Sequence, residues 1–240
     1  IKEKNQNVFS IYNLSSSNQN LFDSYNIINT LVDHSKIIKD DVLIININHK
    51  RLNLDNQQIK DSINDSKFIF LEQNNNMFDE YRNKDLLYLI SLKLKQWILS
   101  RKNFSVNKLY FQYAYPSNSM SEEKKQIIYN TIKSSRISNF KPNLKNAEKI
   151  LFEIALLQER VKFKLIFLDL PRDPLSYEAY SSIENDYRKF INKFSTEKKY
   201  DYIDLRTLDY TSEDFFDLDH IISKKRNELT EIIIKKINIL

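Results

Sequence analysis

The run VKFKLIFL, Val161 to Leu168, closed by Pro171, reads as a buried strand with helical patterns on both sides of it. It is short, apolar and rich in aromatic and branched residues, and proline cannot continue a strand ladder. Ahead of it, Leu144, Ala147, Leu151 and Ile154 share one helix face. Behind it, Tyr180, Ile183, Tyr187, Phe190 and Phe194 step by three and four. A short strand, Tyr202–Leu205, follows, and then a terminal helix striped by Leu229, Ile233, Ile237 and Leu240.

The same alternation extends toward the N-terminus. Phe9–Tyr12 and Val42–Ile45 are short strands, separated by a helical stripe of Leu21, Tyr25, Ile28, Leu31 and Val32 that continues to about Ile38. Leu109–Tyr113 alternates as a further strand. Ser119 and Glu122 have capping-box spacing ahead of a helix through Ile127, Ile128 and Ile132, and Asp85–Lys102 is a strongly apolar helix containing Trp97. Residues 49–84 are polar and irregular, with a short strand at Lys67–Leu71, and read as an insertion or lid. Strand–helix–strand units imply a parallel sheet with right-handed crossovers. The expected fold class is therefore α/β, a flavodoxin-like three-layer sandwich with a mostly parallel sheet, in one domain over residues 1–240.

Composition narrows the function classes. The chain has 240 residues, 41% hydrophobic and 29% charged, in the range of folded proteins. Its net charge of +5 comes from Lys and Arg interspersed with Asp and Glu, a solvated-surface pattern rather than a nucleic-acid-binding block. No apolar run approaches the roughly 18 residues of a membrane helix. Cysteine is absent, which excludes disulfides and thiolate metal sites, and histidine occurs only at positions 34, 49 and 220. A His-rich metal site is not expected. His34 falls in the first helix, facing solvent, and His49 reads as a solvated loop residue. Glycine is absent too, against a usual share of about 7%. Positive-φ positions must be filled by other residues, with Asn an abundant substitute.

The stretch DFFDLDH, Asp214–His220, carries the clearest chemistry. An Asp three residues before a His, in a loop at the carboxyl end of a parallel sheet, can hold one ring nitrogen while the other acts as a general base. The competing reading makes Asp217 a cap for the following helix. Asp169 and Asp173 flank Pro171 at another strand end, where turn chemistry explains them equally well.

LIFLDLP, YIDL, DFFDLDH and the helix after SKKRNELT, spanning about residues 142–240, together resemble the C-terminal half of SGNH (GDSL-like) hydrolases. The resemblance implies a Ser-His-Asp mechanism with His220 as base and Asp217 as its orienting partner, Asp219 being the weaker candidate. VFSIYNLSSSNQ resembles the family's second block, with Asn13 in the Asn position and Ser15 in place of the oxyanion-hole glycine. VLIININ resembles the approach to the third block, whose Asn is missing from its expected place, leaving Asn46 and Asn48 as stand-ins. The nucleophile block would then lie upstream of Ile1. In the competing alignment Ser15 (or Ser16 or Ser17) is itself the nucleophile. Lys225 stands where the family usually has glycine.

The function implied is an esterase or O-acyltransferase acting on a small acyl ester, plausibly on a glycan, with no metal or organic cofactor required, in an extracytoplasmic or cell-envelope setting. The alternatives are a catalytically degenerate SGNH-like domain that binds a glycan or a protein, and a basic α/β nucleic-acid-binding protein.

Overall fold

A computed structural model describes residues 20–52, 54–63, 116–135, 144–198 and 200–239. The sequence readings at Phe9–Tyr12, Asn13, Ser15 to Ser17, Lys67–Leu71, Asp85–Lys102 and Leu109–Tyr113 lie outside these residues. Among the described residues, three strands form one sheet: β1 (Val42–Asn46), β2 (Lys164–Asp169) and β3 (Asp201–Asp204). Both pairings are parallel, with Ile44 opposite Ile166 and Leu168 opposite Ile203, and β2 lies in the middle.

The side chains of β2 show why it is central. Leu165 and Phe167 point into one core, Ile166 and Leu168 into another, and all four are buried. A central parallel strand is apolar on both faces because helices cover both. On the first face lie α1 (Leu21–Asp33), α5 (Leu144–Val161) and α7 (Ser181–Lys198), which contribute Leu21, Phe22, Ile150, Ile154, Tyr187 and Ile191 to that core. On the second face α8 (Ser223–Ile239) presses Leu229, Ile233 and Ile237 onto Ile166, Ile203 and Leu205. The result is a helix–sheet–helix sandwich of α/β class. On β1 the second face is open, with Val42 50% and Ile44 42% exposed.

Among the described residues the helical periods read from the sequence hold, with local differences. The first helix stops at Asp33 rather than Ile38, and His34, its C-cap, is exposed as expected. Residues 49–63, expected within an insertion or lid, form α2 (His49–Leu52) and α3 (Asn56–Ile63) and belong to the core. Leu52, Leu54 and Ile59 are fully buried there. The stripe at Tyr180–Phe194 is preceded by a separate short helix, α6 (Pro174–Ala179), started by the Asp173 side chain accepting from Leu175 N–H and ended by a change of backbone direction at Tyr180. No capping box forms at Ser119. The helix α4 (Glu122–Ser134) starts after Ser121, and the Ser119 hydroxyl donates to the Met120 and Ser212 carbonyls instead.

Ser35, Asp40 and Lys162 occupy the left-handed region that glycine would favour, at φ 53°, 71° and 67°. Asn takes none of the three. Lys162 immediately follows α5, where the chain must turn sharply into β2, and its N–H still donates to the Gln158 carbonyl at 2.7 Å. Among the described residues, no helix is long and apolar enough to cross a membrane, and no three potential ligand side chains converge on a metal position.

Candidate functional site

Beyond β3 the chain runs through a short 3-10 turn (Ser212–Asp214) into the loop that carries Asp217 and His220. Phe215 and Leu218 are buried and anchor this loop from below. An isolated antiparallel bridge, Phe215 with Ile221, closes it, and Phe216 N–H donates to the His220 carbonyl at 2.7 Å. Inside the closed loop Asp217 Oδ1 accepts the backbone N–H groups of Asp219 and His220, each at 2.8 Å. His220 Nδ1 lies 2.8 Å from Asp217 Oδ2 and 2.9 Å from Oδ1. Asp217 therefore orients the ring and ties the turn together. It does not cap α8, whose first residue is Ser223.

With Nδ1–H donated to the carboxylate, Nε2 carries the lone pair of a base. The His220 side chain is 66% exposed, so that atom is reachable. Burial opposes ionisation of Asp217, but the hydrogen bonds from the His220 ring and from the Asp219 and His220 N–H groups outweigh it and hold the carboxyl at about 2. The bond to Asp217 raises the His220 pKa above the ordinary imidazole value, against partial burial.

The turn after β1 reaches the same place. Lys50 pairs with Asp219 at 2.5 Å and sits 5.0 Å over the Tyr180 ring, while the buried Ser176 hydroxyl donates to Asp219 at 3.3 Å. Asp219 thus pairs with Lys50, not with the imidazole. Asn48 lies in this turn, and its carboxamide oxygen accepts Arg51 N–H at 2.9 Å. Asn46 Oδ1 is buried without a hydrogen-bond partner among the described residues. Ser15 and Asn13 lie outside the described residues. Among the described residues, no serine hydroxyl is hydrogen-bonded to His220.

Under the rim lies a buried ionic cluster that sequence reasoning did not assemble. His49 is 3% exposed, not a solvated loop residue. Its Nδ1 lies 2.7 Å from both Glu184 Oε1 and Arg172 Nη1, and its ring centre lies 4.4 Å from that of Tyr180, the planes tilted by 40°. Glu184 also meets Arg206 Nη1 at 3.3 Å and Arg172 Nη2 at 2.6 Å. That last contact is a charge contact rather than an aligned hydrogen bond, since Nη2 has no hydrogen-bond partner. Arg206 continues to Asp169 at 3.1 Å and Asp204 at 2.6 Å, and Tyr187 donates to Asp169 at 2.7 Å.

Burial, then the Arg172 charge, lowers the His49 pKa and keeps the ring neutral, although the Glu184 bond favours protonation. Nδ1–H donated to Glu184 leaves Nε2 as a buried nitrogen without a partner. Burial disfavours ionised Glu184, yet the His49 hydrogen bond and Arg172 hold it at about 2. Asp169 goes the other way: burial lifts it to about 6 against the pull of Arg172 and Arg206. These residues sit at or just past strand ends, or on the first turns of α7. Strand-end position is the one signal that could have drawn attention to them.

No protein-family model matches the chain, nor does any characterised protein or solved structure. Fold and site together define an α/β protein with an exposed His–Asp pair at the carboxyl end of a parallel sheet, above a buried ionic layer.

Proposed function

We propose that this protein is an SGNH-like serine esterase or O-acyltransferase acting on an O-acyl ester, plausibly one carried by a carbohydrate. The observation that supports it is the His220–Asp217 pair: Nδ1 held 2.8 Å from a carboxylate, with the ring 66% exposed beside β3. In this reading a serine hydroxyl, Ser15 (or Ser16 or Ser17), attacks the ester carbonyl while Nε2 of His220 takes its proton. The C–O bond to the leaving alcohol then breaks, and that alcohol receives the proton from Nε2. Water or a sugar hydroxyl attacks the acyl-enzyme next, giving its proton to Nε2; the acyl C–O bond to the serine breaks, and Nε2 returns the proton to the serine oxygen. Asp217 stays ionised throughout and stabilises the imidazolium. Asn13 and the Nδ2 of Asn48 are the oxyanion donors in this scheme.

The test is hydrolysis of a small aryl acetate by the wild type and by His220→Ala. Turnover should vanish in the variant while its melting temperature stays within a degree or two, because the ring is exposed. Activity that survives the substitution would end the proposal. A second reading, a degenerate domain that binds a glycan or a protein, draws on the third-block Asn missing from its expected place and on the finding that, among the described residues, no serine hydroxyl is hydrogen-bonded to His220. It is favoured by a wild type that binds an acylated glycan but never turns it over.

A further inference from the structure

α4 packs Tyr129 and Ile132 against Ala179, Tyr180 and Ile183, yet its burial does not follow polarity throughout. Ile127 is 64% exposed, whereas Lys125 is the one residue of the helix that is fully buried. Its ammonium is saturated. Nζ donates to Asp173 Oδ2 at 2.9 Å, to the Ser212 hydroxyl at 2.9 Å and to the Ser212 carbonyl. The Ser212 hydroxyl closes the triangle by donating to the same Asp173 oxygen at 2.6 Å.

A buried ion pair is seldom more stabilising than apolar side chains of the same volume, so bulk stability is a poor account of it. What the triangle does is fix geometry. Asp173, at the carboxyl end of β2, donates its N–H to the Leu218 carbonyl at 3.2 Å. The segment leading into α4 binds the same loop: Met120 N–H donates to the Phe216 carbonyl at 2.8 Å, and Ser223 N–H to the Pro116 carbonyl at 3.1 Å. The loop bearing Asp217 and His220 thus hangs from α4 on one side and from the end of β2 on the other, with Lys125 at the join.

We infer that Lys125 is a positioning residue, which acts through Asp173 and Ser212 to hold the 212–220 loop in the conformation that brings Asp217 onto the His220 ring. The inference rests on the reading of that pair as the working acid and base, but its test needs no turnover. Histidine NMR titration on the full chain would compare the wild type with Lys125→Met/Asp173→Asn. The double variant leaves no unpaired buried charge, and Asn keeps the cap on α6. The charged groups acting on His220 are Asp217, Asp219 and Lys50.

In the wild type His220 should titrate above 6.5. In the folded double variant its pKa should fall from the raised wild-type position as the contact with Asp217 loosens. A folded double variant in which His220 titrates as in the wild type would overturn the inference. Should that variant lack a dispersed spectrum, Ser212→Ala, which keeps the ion pair but removes the bridging hydroxyl, is read in its place. A smaller fall in the His220 pKa supports the inference and an unchanged one overturns it. Failure of the esterase reading would show instead as a wild type without turnover, whatever the titration gives.

Discussion

Glu184→Gln is the sharpest perturbation of the layer beneath the site. Gln can still accept the His49 N–H, but it carries no charge for Arg172 and Arg206, both nearly fully buried. The size of the effect follows from the carboxyl itself, held at about 2 against an ordinary 4.5. That gap corresponds to about 3 kcal/mol of native-state preference for the charged form. Loss of one partner from a buried pair typically costs about 3–5 kcal/mol, the same order. Asp169 tempers the loss, because Glu184 is one of the charges that raise it, and without Glu184 it ionises more readily beside Arg206. A deficit of about 2–3 kcal/mol at neutral pH is expected from urea unfolding.

The pH dependence provides the discriminating result. A depressed carboxyl contributes its stability above the unfolded-state pKa and loses it as pH falls toward the folded-state value. The contribution of Glu184 is therefore complete at neutral pH and falls between 4.5 and about 2. At about pH 3 linkage leaves less than half of that contribution, so the gap between wild type and variant should narrow by more than half. A variant as stable as wild type at neutral pH, or a deficit that stays constant down to about pH 3, would refute the assignment of Glu184 as the ionised centre of this cluster.

Four further outcomes are expected. Lys162→Gly should stabilise the protein by about 0.5–1 kcal/mol in thermal unfolding, because a side chain is held at positive φ there. Ile154→Ala should cost about 2–5 kcal/mol by chemical denaturation, since Ile154 is fully buried, while Ile127→Ala on exposed α4 should stay within about 0.5 kcal/mol. Tyr187→Phe should cost about 1–3 kcal/mol by urea unfolding at neutral pH, leaving Asp169 without its 2.7 Å donor. In Asp217→Asn the His220 pKa should fall from its raised value, as measured by NMR, because the partner that favours the imidazolium has lost its charge.

Much of this molecule is legible from its order of residues, because the relevant forces act along the chain. The apolar run that became β2 and the three-and-four spacing of α5 and α7 express periods set by backbone geometry, and they point to a parallel α/β sandwich. The Asp217–His220 contact is legible for the same reason: its partners are three residues apart, and a closed turn brings them together. The break at Tyr180, the burial of His49 and the inward turn of Lys125 are not legible in this way. His49 is a polar residue in a polar stretch until Glu184, 135 positions later, and Arg172, 123 positions later, arrive beside it. Lys125 looks like one more solvated lysine on a charged helix until Asp173 and Ser212 supply its acceptors. A charge enters a protein interior only where partners replace its water, and folding alone brings partners so distant in sequence to one point.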